Sequence, residues 1–332
     1  MNKEIVVSGI RSTGHLHLGN YFGAMQNYVK MQEDYNCYFF VADYHSLTTH
    51  PDPKDLKANV FRVVAENIAS GLDPDKVALY AQSDIPEIPE LYLMLNMLAY
   101  QGELEKVPTF KEKVRTQPDN VNAGLLTYPV LMTADILIQR AVKVPVGKDQ
   151  EQHLEMARNF AHRFNTRYGE FFPEPQVFRF NSDAVKILAL DGNGKMSKSE
   201  NLNATIYLSD DDDTIKKKIM KAKTDAGPTE PNAAMPDFIQ NLFLLLQLTS
   251  TPDTYETFRN NYNNCNIRYG DMKKQLAEDM AAFVRPIRER AMELQKDEAM
   301  MRKILKEGAE KAHDGAAATM AGARKLIGIN YY

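Results

Sequence analysis

Tryptophan is absent from this sequence, although 16 tyrosines and 15 phenylalanines are present. Cysteine is scarce: Cys37 and Cys265 lie far apart, which excludes a disulfide-stapled scaffold and a cysteine metal cluster of ordinary spacing. Each reads as a buried thiol or a surface residue without chemistry. Long hydrophobic runs are missing as well. The longest, Leu242 to Leu248, is far below the roughly 20 residues of a membrane span, and the opening MNKEIVVSGIRSTG has too short an apolar run for a signal peptide. A cytoplasmic protein without membrane contact is the expectation. Positive charge is not in excess either, since the net charge is −4. A nucleic-acid partner would have to be held by local basic patches.

What is present fits an ordinary globular chain. Its 332 residues, 44% hydrophobic and 25% charged, are enough for two domains. The first half alternates strand and helix signals. Residues 4–10, 37–42 and 76–83 read as strands, and 20–33 and 54–70 as helices, the second stopped by Gly71. Helices are also expected at 88–101, 123–140 and from 148 or 149 to 165, with strands at 142–147, 176–180 and 185–190. Repetition of this kind implies a parallel, doubly wound α/β sheet with ligands at the carboxyl ends of its strands. From residue 209 the pattern turns helical: 212–222, 237–248, 252–262, 271–295 and 297–312. The expected organisation is an α/β domain over 1–200 and an all-helical domain over 201–332.

Two segments point to chemistry. SGIRSTGHLHLGN (8–20) is a Gly- and Ser/Thr-rich loop between the first strand and first helix. Free N–H groups and the helix dipole suit such a loop to an anion. It matches neither the P-loop nor the dinucleotide fingerprint. His17-Leu18-Gly19-Asn20 within it is either a nucleotide contact or a surface turn with Asn20 as N-cap. The second segment, Lys195-Met196-Ser197-Lys198-Ser199, offers two lysines and two hydroxyls to phosphate oxygens; alone, a charged loop of this kind is usually just solvated.

Together, HLGN after the first strand and KMSKS after the last mark class I aminoacyl-tRNA synthetases. AGLLTYPVLMTADIL (123–137), VPVGKDQEQHLEMARNFAHRFN (144–165) and GELEKVPTFKEK (102–113) refine the likeness: the chain resembles the bacterial-type tryptophanyl-tRNA synthetases over nearly its whole length, most densely over 5–200. Asn20 stands where the general class carries histidine, a change common in the tryptophan branch. Ser12 stands where proline is frequent.

The resemblance implies a Rossmann-type catalytic domain followed by a helical anticodon-binding domain, in a homodimer acting on ATP with Mg2+, L-tryptophan and tRNA(Trp). It assigns catalysis to His17, Asn20, Lys113, Lys195 and Lys198, which position phosphates and neutralise the charge on leaving pyrophosphate. Asn20 does not titrate near neutrality and so serves as a hydrogen-bonding group. ATP contacts fall on Arg11, Ser12, Thr13, Gly19, Gly147, Lys148, Asp149, Ile187, Met196, Ser197 and Ser199, beside Asn20 and the two loop lysines. Asp149 also fits an N-cap with Gln152 as its capping-box partner. No dedicated metal ligands are expected.

Asp135 is an anomaly on sequence grounds alone, a carboxylate inside an apolar helix. Either it reaches solvent, or it has an internal partner, or a ligand supplies the donor. The resemblance selects the third and makes Asp135 the acceptor for the indole N–H. Val7, Met132, Val144 and Val146 become apolar walls, and His45, Tyr128 and Gln150 polar groups around the substrate ammonium and carboxylate. Basic runs at 216–223, 285–290, 302–311 and 323–325 are either tRNA contacts or solvated faces. The sister tyrosine enzyme is the closest alternative, because Asp135 also suits a phenol O–H. A small-molecule nucleotidyltransferase would not need the helical tail, and an RNA-binding paralogue without activity would not need the full set of chemical groups.

Overall fold

The computed structural model describes residues 3–12, 14–147, 150–178, 185–196 and 201–331. Short β-branched runs make the strands, and five of them form one parallel sheet: β1 (Ile5–Arg11), β2 (Asn36–Ala42), β3 (Ala78–Ala81), β4 (Lys143–Val144) and β5 (Gln176–Val177). Their order is β3-β2-β1-β4-β5, with Ile5 opposite Asn36 and Val6 opposite Lys143. This is the doubly wound α/β arrangement expected from the sequence. Strand order reverses between β1 and β4, the place where such sheets open a crevice for ligands.

Alternation along β1 divides two cores. Val6 and Ile10 face the first, with Met280 and Val284 packed from a C-terminal helix; Val7 faces the second, with Val130, Leu154 and Met320. The first crossover is a helical run over 18–34, named α1. It opens with one α turn, Leu18–Asn20, passes through a π segment, Tyr21–Met25, and continues as Gln26–Asp34. The helix thus begins two residues before the expected start. His17 is its N-cap and Asn20 is the third helical residue, so the N-cap reading of Asn20 is corrected: the imidazole accepts Asn20 N–H while the Asn20 side chain accepts His17 N–H.

Helix α2 (Pro53–Ala69) has Asp52 as N-cap and proline in its first turn, which is how helices of this kind start. The middle of the chain departs from expectation, at two places because of a proline. The expected helix 88–101 ends at Asn96 (α3, Glu87–Asn96), and an unexpected helix, α4 (Pro108–Thr116), carries Lys113. The expected helix 123–140 breaks into Ala123–Leu126 and α5 (Tyr128–Ile138), because Pro129 has no N–H to continue the first ladder. Pro145 curtails β4 in the same way. α6 (Glu151–Tyr168) takes Gln150 as its N-cap, one position beyond Asp149. No strand forms over the described part of 185–190; Leu188 only bridges Lys195.

The C-terminal part carries the helices α7 (Asp212–Met220), α8 (Asp237–Thr249), α9 (Pro252–Asn263), α10 (Tyr269–Lys296) and α11 (Glu298–Ile327). α11 runs well past the expected end at 312, through an alanine-rich stretch that favours helix, and stops at left-handed Gly328. It crosses the edge strand β3 so closely that a Cβ on Gly308 would lie 1.9 Å from the Leu79 carbonyl oxygen. An otherwise open sheet edge is thereby covered. α10 and α11 both contribute to the cores beneath the sheet, joining the C-terminal helices to the Rossmann-type body.

Candidate active site

Beyond the carboxyl ends of β1 and β2 lies a cavity of about 180 Å³ whose lining includes Arg11, His45, Lys113, Tyr128, Gln150 and His153. Five of these six carry sequence-predicted roles, and each arrives from a different element. Arg11 closes β1, His45 follows β2, Lys113 rides on α4, Tyr128 begins α5 and Gln150 caps α6. His153 holds Gln150 in place: its Nδ1 lies 2.9 Å from Gln150 Oε1 and its Nε2 2.9 Å from Thr109 Oγ1. Tyr128 packs on the His45 ring at 4.0 Å between centroids.

Behind His45 sits Asp135, 1% exposed. Its carboxylate accepts from His45 Nε2 at 3.1 Å on Oδ2, and from Gln82 Nε2 at 2.7 Å on Oδ1 and 3.0 Å on Oδ2. Gln82 closes the ring by accepting the His45 backbone N–H at 3.3 Å. Of the three possibilities open to this carboxylate, an internal partner is present. His45 accordingly turns one edge to Asp135, while its Nδ1 has no partner among the described residues. Burial raises the Asp135 carboxyl above its ordinary range, against the pull of His45 and Gln82, and the Asp43 charge adds to the rise. Gln82 was not anticipated. Its signal was available, for it is the first residue after β3, at the carboxyl end where the fold gathers its ligands.

The four apolar positions separate. Val7 and Val144 are buried in the second core, and Met132 and Val146 pack against it half-buried. None of the four lines the cavity.

Some of the residues expected to contact the nucleotide come together in a second place. Gly19 is buried against the His17 ring, and a Cβ placed on it would come within 3.5 Å of the Met196 carbonyl, so the two signature loops are in van der Waals reach of each other. Met196 N–H donates to Ile187 C=O at 2.9 Å; both side chains are buried in the first core, while Lys195 and Gly147 are exposed. Gly14 adopts φ 65°, a left-handed turn for which glycine is suited. Ser12 is fully buried with its hydroxyl 2.6 Å from that of Ser46, which anchors the end of β1 to the segment carrying His45. Thr13, Lys148, Asp149, Ser197, Lys198 and Ser199 lie outside the described residues.

Most of the basic runs are neutralised within the fold. Lys218 pairs with Asp210 at 2.6 Å, Arg285 and Arg288 with Asp212 at 2.6 and 3.1 Å, and Arg324 with Glu90 at 2.6 Å. Lys311 donates to the carbonyls of Pro74, Asp75 and Val77. Lys216, Lys217 and Lys221 on and just after α7 are exposed and outside these pairs.

Comparison with known proteins matches this geometry to a family. The model for class I tRNA synthetases (W and Y) matches residues 2–285. A tryptophan–tRNA ligase of Porphyromonas gingivalis is 60% identical over 327 residues, covering 98% of this chain and 99% of that one. One from Rickettsia bellii is 41% identical over 98% and 99%. The crystal structure of tryptophanyl-tRNA synthetase from Campylobacter jejuni complexed with ADP and tryptophan superposes with a TM-score of 0.88 at 34% identity, over 98% and 99% of the two chains. A parallel Rossmann-type sheet, Gly19 of the first signature segment close to Met196 of the second, and a buried carboxylate beside the cavity thus accompany a match along nearly the whole length, and the chain belongs to the class I tRNA synthetases of the tryptophan and tyrosine family.

Proposed function

We propose that the chain is a tryptophan–tRNA ligase. The substrate carboxylate attacks the α-phosphorus of ATP, the bond to the β-phosphate oxygen breaks, and pyrophosphate leaves behind tryptophanyl-adenylate. A 3′-terminal ribose hydroxyl of tRNA(Trp) then attacks the acyl carbon and AMP departs. The observation that supports this reading most is Asp135, a carboxylate buried at considerable cost immediately behind a cavity flanked by Arg11 and Lys113. Burial of that kind suits recognition of a hydrogen-bond donor, because an indole N–H would add a further bond to a carboxylate already oriented by His45 and Gln82.

The chain's own groups bind and orient. Arg11, Lys113, Lys195 and Lys198 meet phosphate oxygens, and His17 with Asn20 hold the start of α1 against the nucleotide. Tyr128 and Gln150 meet the substrate ammonium and carboxylate, with His45 beside Asp135. Among the described residues no group of three or more His, Cys, Asp or Glu side chains could hold a metal ion. Arg11 and Lys113 on the cavity wall suit the ATP phosphate oxygens, and a magnesium ion, held mainly by those phosphates, would neutralise part of their charge.

Residues 1–200 are assigned to the catalytic part and 201–332 to the helical part that meets tRNA, with Lys216, Lys217 and Lys221 as phosphate contacts. Leu93, Met97 and Tyr100 on and beyond α3 expose 57%, 75% and 63% of their surface. Such an apolar patch supports a homodimer. No described helix is long and apolar enough to cross a membrane, and a cytoplasmic location suits both tRNA and two unpaired cysteines. ATP–pyrophosphate exchange with each amino acid tests the reading; stronger exchange with tyrosine than with tryptophan overturns it.

A further inference from the structure

Glu66 is a buried carboxylate that no step of the reaction uses. It lies within α2, a crossover helix, and is 2% exposed. A carboxylate there is costly unless donors are supplied, and those it finds come from the nucleotide loop. Its Oε2 accepts the Leu16 backbone N–H at 2.9 Å, and its Oε1 lies 3.4 Å from His15 Nδ1. Leu16 is also held from the opposite side, its carbonyl accepting Leu208 N–H at 2.8 Å, and Leu18 N–H donates to Ile206 C=O at 3.0 Å. Residues 206–208 follow closely on the KMSKS segment. The backbone just before His17 is therefore fixed between a helix of the sheet layer and the segment that leads away from the second signature loop.

We infer that Glu66 is a positioning residue for ATP: its carboxylate, reaching Leu16 N–H from α2, sets the place of His17 and Asn20 and thereby the fit of the triphosphate. This inference rests on the synthetase reading above. His15 explains why the position holds a carboxylate, because a second donor reaches its other oxygen. His15 itself is 44% exposed in its side chain and lies edge-on to Tyr207 at 6.2 Å, so the pair adds little beyond orientation.

Reach and charge can be separated at this site. Glu66→Gln keeps an oxygen at the distance of Leu16 N–H and loses the charge. Glu66→Asp keeps the charge and withdraws the oxygen by one methylene. Steady-state ATP–pyrophosphate exchange should show the KM for ATP raised about tenfold in Glu66→Asp, the cost of one hydrogen bond, and within about twofold of the parent in Glu66→Gln. Tryptophan Kd should be unchanged in both, since the Asp135 side of the cavity does not touch α2 through Glu66. An unaltered ATP KM in Glu66→Asp overturns the inference. So does damage in Glu66→Gln as large as that in Glu66→Asp, which would mean that reach to Leu16 N–H is not what the position supplies, or equal loss of ATP and tryptophan binding, which would mean general loosening. A parent protein without tryptophan-dependent exchange would instead refute the synthetase reading, so the two failures are distinguishable.

Discussion

Replacing Asp135 by asparagine removes one charge and almost no volume, and its consequences for binding and for stability should diverge. In the folded protein the carboxylate accepts at 2.7, 3.0 and 3.1 Å from Gln82 and His45. An asparagine oxygen can keep Gln82. Its amide faces His45 Nε2, which becomes an acceptor once the ring proton moves to Nδ1, an atom without a partner among the described residues. Internal hydrogen bonding is then preserved, and the loss of a buried charge offsets what remains, so Tm should shift by no more than about 3 °C. A hydrogen bond from an indole N–H to a charged acceptor contributes about 1.5–3 kcal/mol, so tryptophan Kd should weaken roughly 10- to 150-fold. ATP affinity should stay at the parental value. With no tryptophan in the chain, added L-tryptophan is the only indole fluorophore, and its titration reads Kd directly. A Kd within twofold of the parent would remove Asp135 from the substrate site and refute the reasoning.

The same residue fixes a pH dependence. Burial holds its carboxyl above the ordinary 3.8, so the folded chain takes up this proton at a higher pH than the unfolded chain. The group's contribution to stability is therefore complete below 3.8 and is lost as pH rises through the raised value. Tryptophan affinity should run the other way and fall on acidification over that window. The groups facing the carboxylate are His45, Gln82, Tyr80 and Asp43, and the Asp135→Asn variant should lose the part of the profile that belongs to Asp135.

Gly308→Ala should destabilise by about 3 kcal/mol despite the better helix propensity of alanine, because its methyl would overlap the Leu79 carbonyl. A raised Tm in thermal melts would contradict that close approach. Lys113→Ala and Lys198→Ala should each slow single-turnover adenylate formation by about 100-fold while tryptophan Kd holds, since their charge acts as pyrophosphate leaves. An unchanged single-turnover rate removes the residue from that role. If the proposed homodimer forms through this face, Met97→Asp should leave only monomer in sedimentation, and a parent that is itself monomeric refutes the proposed interface.

Much of this protein could be read from its residues in order. β-Branched runs alternating with amphipathic stretches specify a parallel doubly wound sheet, because local periodicity decides which face each segment must bury. The two signature segments and the apolar helix interrupted by Asp135 were equally legible, since each is contiguous. Three-dimensional packing decided the rest. The partners of Asp135 are Gln82 and His45, distant in sequence and joined only when β2, β3 and α5 meet. Ser12 finds Ser46 and Glu66 finds Leu16 in the same way. Within the basic runs that suggested tRNA contacts, Arg285, Arg288 and Arg324 turned out paired with acids on other helices, because a charge pattern along a chain does not say which charges of opposite sign will face it. The sequence by itself determined the architecture, the family and the identity of the unusual carboxylate. Only the tertiary structure decided what that carboxylate touches, which cations remain for a ligand, and how closely the last helix could approach the sheet, because hydrogen bonds, ion pairs and steric contacts depend on distance in space rather than distance along the chain.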